Sequence, residues 1–303
     1  MTDNTFKTSP RFPRPIEELN LLDNFLFQEM LQRGRDSEEF CRILLGTILN
    51  RTIRRVRVVS QMPVLGADSH LHGIRMDAYI EELPPDNLPP GLSVSDIEVM
   101  PDIYDIEPNK SYEKSTLPKR MRYYHALIDS RMLSIGTDYG KLPNVVTIMI
   151  LPYDPFDKNR MVYTIANRCI ELPELPYDDG ARKLFLYTKG NGGSQKLRDM
   201  LKYIEETTDS NVTNQDIASI HEIVNRVRKD KEVGINYMKS WEMEQLAREE
   251  GKQEGKQEGK LEFRTQILQL IAALKKDNRL DDLAKVTENP NYCEELLQEY
   301  GIS

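Results

Sequence analysis

Cysteine, histidine and tryptophan are scarce in this chain of 303 residues, which has three Cys, four His and one Trp. Cys41, Cys169 and Cys293 are scattered and odd in number, so they form no disulfide framework and suit reduced thiols in the cytoplasm. No spacing suits zinc, and no Ser/His/Asp or Cys/His nucleophile arrangement is readable. No apolar run approaches the roughly 18 residues needed to span a membrane, so no membrane partner is expected. Residues 1–15 are polar and proline-bearing without a hydrophobic segment, which reads as a flexible arm rather than a secretory signal. Gly190-Asn191-Gly192-Gly193 lacks the Gly-Lys-Ser/Thr ending of a phosphate-binding loop, so no nucleotide cofactor is expected. Net positive charge is absent too: the formal charge is -8, which argues against indiscriminate coating of nucleic acid.

What is present centres on two alternating stretches. In Gly73–Glu81, Ile74, Met76, Ala78 and Ile80 take one face of a strand, while Arg75, Asp77, Tyr79 and Glu81 take the other. In Asp102–Asn109, Ile106 and Pro108 oppose Asp105, Glu107 and Asn109. If the strands pair, Asp77 meets Glu107 on one polar face. Two carboxylates on a rigid sheet suit a hard divalent cation such as Mg2+. The neighbouring Asp96-Ile97-Glu98 imitates Asp105-Ile106-Glu107, and it leaves Glu98 as an alternative to Glu107. It sits in a proline-rich insertion, residues 82–101.

Asp77 on one strand, Asp105-x-Glu107 on the next and Leu117-Pro118-Lys119-Arg120-x-Arg122-Tyr123-Tyr124 after them resemble the PD-(D/E)xK nuclease superfamily. Within it, the chain more closely resembles the bacterial recombination-promoting nuclease, or transposase-like, family. The likeness continues through Asp138-Tyr139, Asp154-Pro155-Phe156, Tyr163-Thr164, Asn167-Arg168-Cys169, Thr188-Lys189-Gly190 and the Gly-Lys-Gln-Glu repeats near residue 255. It covers roughly residues 19 to 260.

The resemblance implies an α/β, restriction-endonuclease-like domain over residues 16–190, with a mixed central sheet flanked by helices. It also implies a Mg2+- or Mn2+-dependent endonuclease acting on double-stranded DNA. Asp77 and Glu107 would hold the cation with a backbone carbonyl near Ile106 or Asn109, and relatives suggest a further carboxylate, Glu38 or Glu39. The insertion departs from the short turn of relatives. So does Asn109, which stands where the superfamily has Lys; relatives in the closer family often carry Gln. An amide hydrogen-bonds water but carries no charge. Lys110 supplies that charge if a bulge at Pro108 turns it inward.

Lys110 to Arg131 carry six cations against two anions. Lys114, Lys119, Arg120, Arg122 and Tyr124 are therefore the expected DNA contacts. Arg51, Arg54, Arg55 and Arg57 form a second basic cluster, and either cluster alone reads as a solvated surface. His70 and His72 with Asp68 read as turn residues, and His125 as a packing or phosphate-touching residue.

Helical periodicity marks Asp23–Gln32, a helix with Ser37 as N-cap, and one opened by Pro118 and stopped at Gly136. Arg54–Val59, Asn144–Leu151, Met161–Ile165 and Lys183–Leu186 read as strands. Beyond a joint at Gly190–Gly193, with Ser194 as N-cap, a helical region covers 194–248. A weak helix or linker with Gly251, Gly255 and Gly259 covers 249–260, and an amphipathic tail covers 261–303 and offers a homo-oligomer contact. Two rival readings stand beside the nuclease: a catalytically inactive nuclease fold that binds DNA or protein, and an assembly protein.

Overall fold

The two alternating stretches are neighbouring strands of one sheet. In the structure, a computed structural model describing residues 13–64, 74–83, 102–132, 136 and 138–302, β1 (Val56–Val64), β2 (Ile74–Glu82) and β3 (Ile103–Pro108) pair antiparallel in sequence order. β3 then runs parallel to β4 (Val145–Leu151), and β4 runs parallel to β6 (Ala181–Tyr187). β5 (Val162–Ala166) closes the far edge, antiparallel to β6. The sheet is mixed, in the order β1-β2-β3-β4-β6-β5. A parallel pair cannot be joined by a tight turn, and the helix opened by Pro118, α3 (Leu117–Met132), makes the crossover from β3 to β4. β4 is buried along its whole length, as its unbroken apolar run requires.

Helices cover both faces. On one, α1 (Asn24–Leu31), α2 (Arg35–Leu49), α4 (Gln195–Glu205) and α5 (Gln215–Lys229) pack with Ala78, Ile80, Ile106, Ile148 and Leu184 in the main core. The expected separate helical region is therefore in part continuous with this core: α4 contributes Leu197 and Leu201, and α5 Ile217 and Val224. On the other face, under α3, the apolar contact is split. Tyr79, Ile103, Ile128 and Val145 form one cluster, and Leu117, Met121, Met149, Leu151 and Phe185 another.

Two local expectations are corrected. α2 begins at Arg35 behind Gly34, whose φ of 57° suits glycine, and Ser37 Oγ donates to the Gly34 carbonyl at 2.7 Å rather than capping. The Gly190 segment is tied to the sheet: Tyr187 N–H donates to Met161 O at 2.9 Å and Met161 N–H to Asn191 O at 2.8 Å. A Cβ on Gly190 would meet the backbone of Arg160 and Met161. The glycine repeat is helical, within α6 (Lys231–Lys276). Ser194 does cap α4, accepting from Leu197 N–H at 3.2 Å.

The chain divides into two compact units, Met1–Tyr237 and Met238–Ser303. In the second, Leu270 and Leu274 of α6 pack with α7 (Leu280–Glu288) and α8 (Pro290–Glu299) through Leu283, Cys293, Leu296 and Leu297. Among the described residues no helix is long and apolar enough to cross a membrane.

Candidate active site

The polar band that splits the apolar contact under α3 is the candidate site. Tyr79 pairs with Asp105 and Ala78 with Ile106 across β2 and β3, and the next step of that register sets Asp77 beside Glu107. Asp77 N–H donates to Glu107 Oε1 at 2.8 Å, and Gln28 Nε2 of α1 donates to Asp77 Oδ1 at 2.6 Å. Asp105 is 0% exposed, Glu107 3%, Asn109 7% and Asp77 9%. No N–H or hydroxyl among the described residues donates to Asp105, whose hydrogen-bond neighbour is the Glu107 carboxyl, and Gln28 Oε1, Asn109 Nδ2 and Thr147 Oγ1 are unpartnered. Buried polar atoms are normally satisfied, so this concentration in one band needs a cause.

Electrostatics supplies it. Burial pushes the Asp77 carboxyl up to about 6, against the charge of Arg120 and the Gln28 hydrogen bond. Burial and then the Asp77 charge push Asp105 up to about 8. Burial, with Asp105 and Asp77 beside it, holds Glu107 well above the usual carboxylate range. The one cation of α3 at hand, Arg120, stands 3.7 Å from Glu107 Oε2, and its Nε donates to Tyr124 Oη at 3.1 Å. One guanidinium does not offset three desolvated carboxylates. Added positive charge relieves the site, and its hard oxygen donors suit Mg2+ or Mn2+. Asp77 and Glu107 are the residues that would hold it. Among the described residues there is no group of three or more His, Cys, Asp or Glu side chains arranged to hold a metal ion.

Glu39 is not brought to the pair. It is exposed, with Glu38, and both line a different cavity among arginines. The element that does reach Asp77 is α1, through an amide.

A cavity of about 420 Å³ opens beside the carboxylates, lined by Asp77, Glu107, Asn109, Lys110 and Arg120, with Asp23 at its rim. Pro108 makes no bulge. The pairing to β4 stays regular through Pro108 and Ile150, and Asn109 N–H donates to Ile150 O at 2.9 Å. Ile103 N–H donates on the same side, to Asn144 O, so alternation aims the missing N–H of Pro108 toward β2, past the end of the β2–β3 pairing at Ala78–Ile106. Lys110 reaches the cavity from just beyond the strand end, where its Nζ lies 2.5 Å from Asp23 Oδ1. Asn109 Oδ1 accepts from Ser111 N–H at 2.8 Å, which leaves its amide donor unused.

The expected DNA contacts scatter in role. Lys119 and Arg122 are exposed on α3. Lys114 is paired with Asp157 at 2.5 Å. Tyr124 is buried, so it offers no stacking surface and instead steadies Arg120. His125 is buried 3.8 Å from Asp129, and burial followed by the charge of Lys183 holds its imidazole down at about 4. Sequence reasoning missed Gln28 and Asp23 and assigned no role to Asp105. Gln28 follows Phe27 inside a helix that periodicity reads as packing, and only the fold shows its amide facing a carboxylate. His70, His72, Asp68, Glu98 and residues 84–101 of the insertion lie outside the described residues. Compared with protein-family models, with curated proteins and with solved structures, the chain matches none of them.

Proposed function

We propose that this chain is a metal-dependent DNA endonuclease of the PD-(D/E)xK type, with a restriction-endonuclease-like core and a recombination-promoting, transposase-like relationship. The observation that carries the reading is the group of Asp77, Asp105 and Glu107 on adjacent strands, buried and under-neutralised beside a polar cavity. Asp77 and Glu107 hold the cation, and Gln28 fixes the carboxylate of Asp77. The chemistry that Mg2+ or Mn2+ would supply there is polarisation of the scissile phosphate and a lowered pKa for a water. The unused amide donor of Asn109 orients a water, and Lys110 supplies the charge that the superfamily's Lys would carry. Arg120 offsets the carboxylates from α3.

A plasmid-nicking assay with Mg2+, Mn2+ or EDTA on wild type, Asp77→Ala and Lys110→Ala tests this. The expected result is metal-dependent nicking, abolished in Asp77→Ala and lowered by about 10²-fold in Lys110→Ala. Full activity in Lys110→Ala removes that residue from the mechanism. Absence of nicking under every metal condition favours the second reading, an inactive nuclease fold that binds DNA or protein. What supports that second reading is the neutral Asn109, which stands where the superfamily has Lys.

A further inference from the structure

The arginine-rich stretch between α2 and β1 has no part in the carboxylate site, yet it lines the larger of two adjoining cavities. α2 places Arg35, Glu38, Glu39 and Arg42 at i, i+3, i+4 and i+7, on one helix face. Together with Arg54, Arg55 and Arg57 from the chain entering β1, that face encloses a concavity of about 480 Å³. It shares no lining residue with the cavity of Asp77 and Glu107. A second concavity of about 360 Å³ adjoins it through Arg42 and adds Arg51 and Lys196.

Several of these cations are used internally. Arg57 pairs with Glu81, Arg51 holds Glu82 and Tyr104, and Lys196 meets Asp216 at 2.6 Å. Arg35, Arg42 and Arg54 make no ion pair among the described residues. Unpaired guanidinium groups gathered in one concavity of a chain with net charge -8 repel one another and create a local positive potential. Their planar forks match phosphate oxygens bidentately. Arg42 lines both concavities, so the unpaired charge extends from the first toward the second, which suits a repeating anion better than a single one.

We propose that this groove holds the phosphodiester backbone of duplex DNA, in a contact separate from the carboxylate cavity. The proposal rests on DNA being the substrate. Glu38 and Glu39 lie in the groove as the opposing charges, so they weaken the contact and set its strength.

The test is fluorescence anisotropy of a labelled duplex of about 20 base pairs with the full chain in EDTA, from about 50 to about 200 mM salt. The double variant Arg42→Ala/Arg54→Ala is expected to bind about tenfold more weakly, with a log–log salt slope shallower by about 2. Glu38→Gln/Glu39→Gln is expected to bind more tightly, a gain that a damaged fold would not give. Wild-type affinity and slope in both double variants overturn the proposal. So does groove-dependent capture by polyglutamate without duplex binding, which assigns the groove to an acidic protein surface. Because no metal is present, a chain that never nicks DNA can still support the groove. Nicking with an unchanged salt slope refutes the groove and leaves the nuclease intact.

Discussion

Asp105 is the residue on which the electrostatics of the site turns. It is fully buried, no N–H or hydroxyl among the described residues donates to it, and its neighbours are the carboxyls of Asp77 and Glu107. The folded-state pKa values of Asp77 and Asp105, about 6 and about 8, lie above the roughly 3.9 of an unfolded Asp. Folding therefore favours the protonated carboxyls. Their stabilising contribution is complete below about pH 4 and is lost as pH rises through about 6 and then about 8. In EDTA, the urea midpoint of the wild type is expected to fall between about pH 5 and about pH 8, and Mg2+ to restore it at the upper end. Asp105→Asn keeps the shape, removes one charge and should flatten the curve, with a gain on the order of a few kcal/mol at pH 8. A flat wild-type curve would show that other groups already neutralise the cluster. Of these side chains, alternation gave Asp77 and Glu107 their strand faces, because strand periodicity assigns a face without knowledge of the partner, while the preference for Glu107 over Glu98 came from the resemblance. Gln28 was not legible, since no local pattern says which helix side chain ends opposite Asp77.

Among the elements, α6 sets propensity against context. Gly251, Gly255 and Gly259 sit in a helix of 46 residues, and a Cβ at any of them meets nothing within 4 Å. Each glycine costs about 1 kcal/mol relative to Ala in a helix, which is why the repeat reads as a weak helix or linker in the sequence. With space free around them, Gly251→Ala, Gly255→Ala and Gly259→Ala together are expected to raise helical circular dichroism and the melting temperature of this segment. A lowered melting temperature would mean that another molecule packs closely on the glycine side. Gly190 is the opposite case, because its missing Cβ is what admits the backbone of Arg160 and Met161. The joint expected there from composition is a packed turn, since glycine marks flexibility and close approach with the same letter.

For the whole molecule, the division into Met1–Tyr237 and Met238–Ser303 leaves the carboxylate cavity and the arginine groove in the first unit. A fragment of residues 1–237 is expected to melt cooperatively and to bind duplex DNA with the salt slope of the full chain. Loss of cooperative melting would assign residues 238–303 a stabilising role. The sequence by itself marked the buried central strand β4, the helix α3 and the polar faces that carry Asp77 and Glu107, because periodicity, caps and apolar runs are local. The tertiary structure alone decided that α4 and α5 join the main core and that Glu39 lies among arginines rather than beside the carboxylates. It also decided that Tyr124 is spent on Arg120 and that Lys110 reaches the cavity without a bulge. These depend on which distant segments are brought into contact, and burial and Coulomb interaction across long sequence separations leave no periodic trace in the chain.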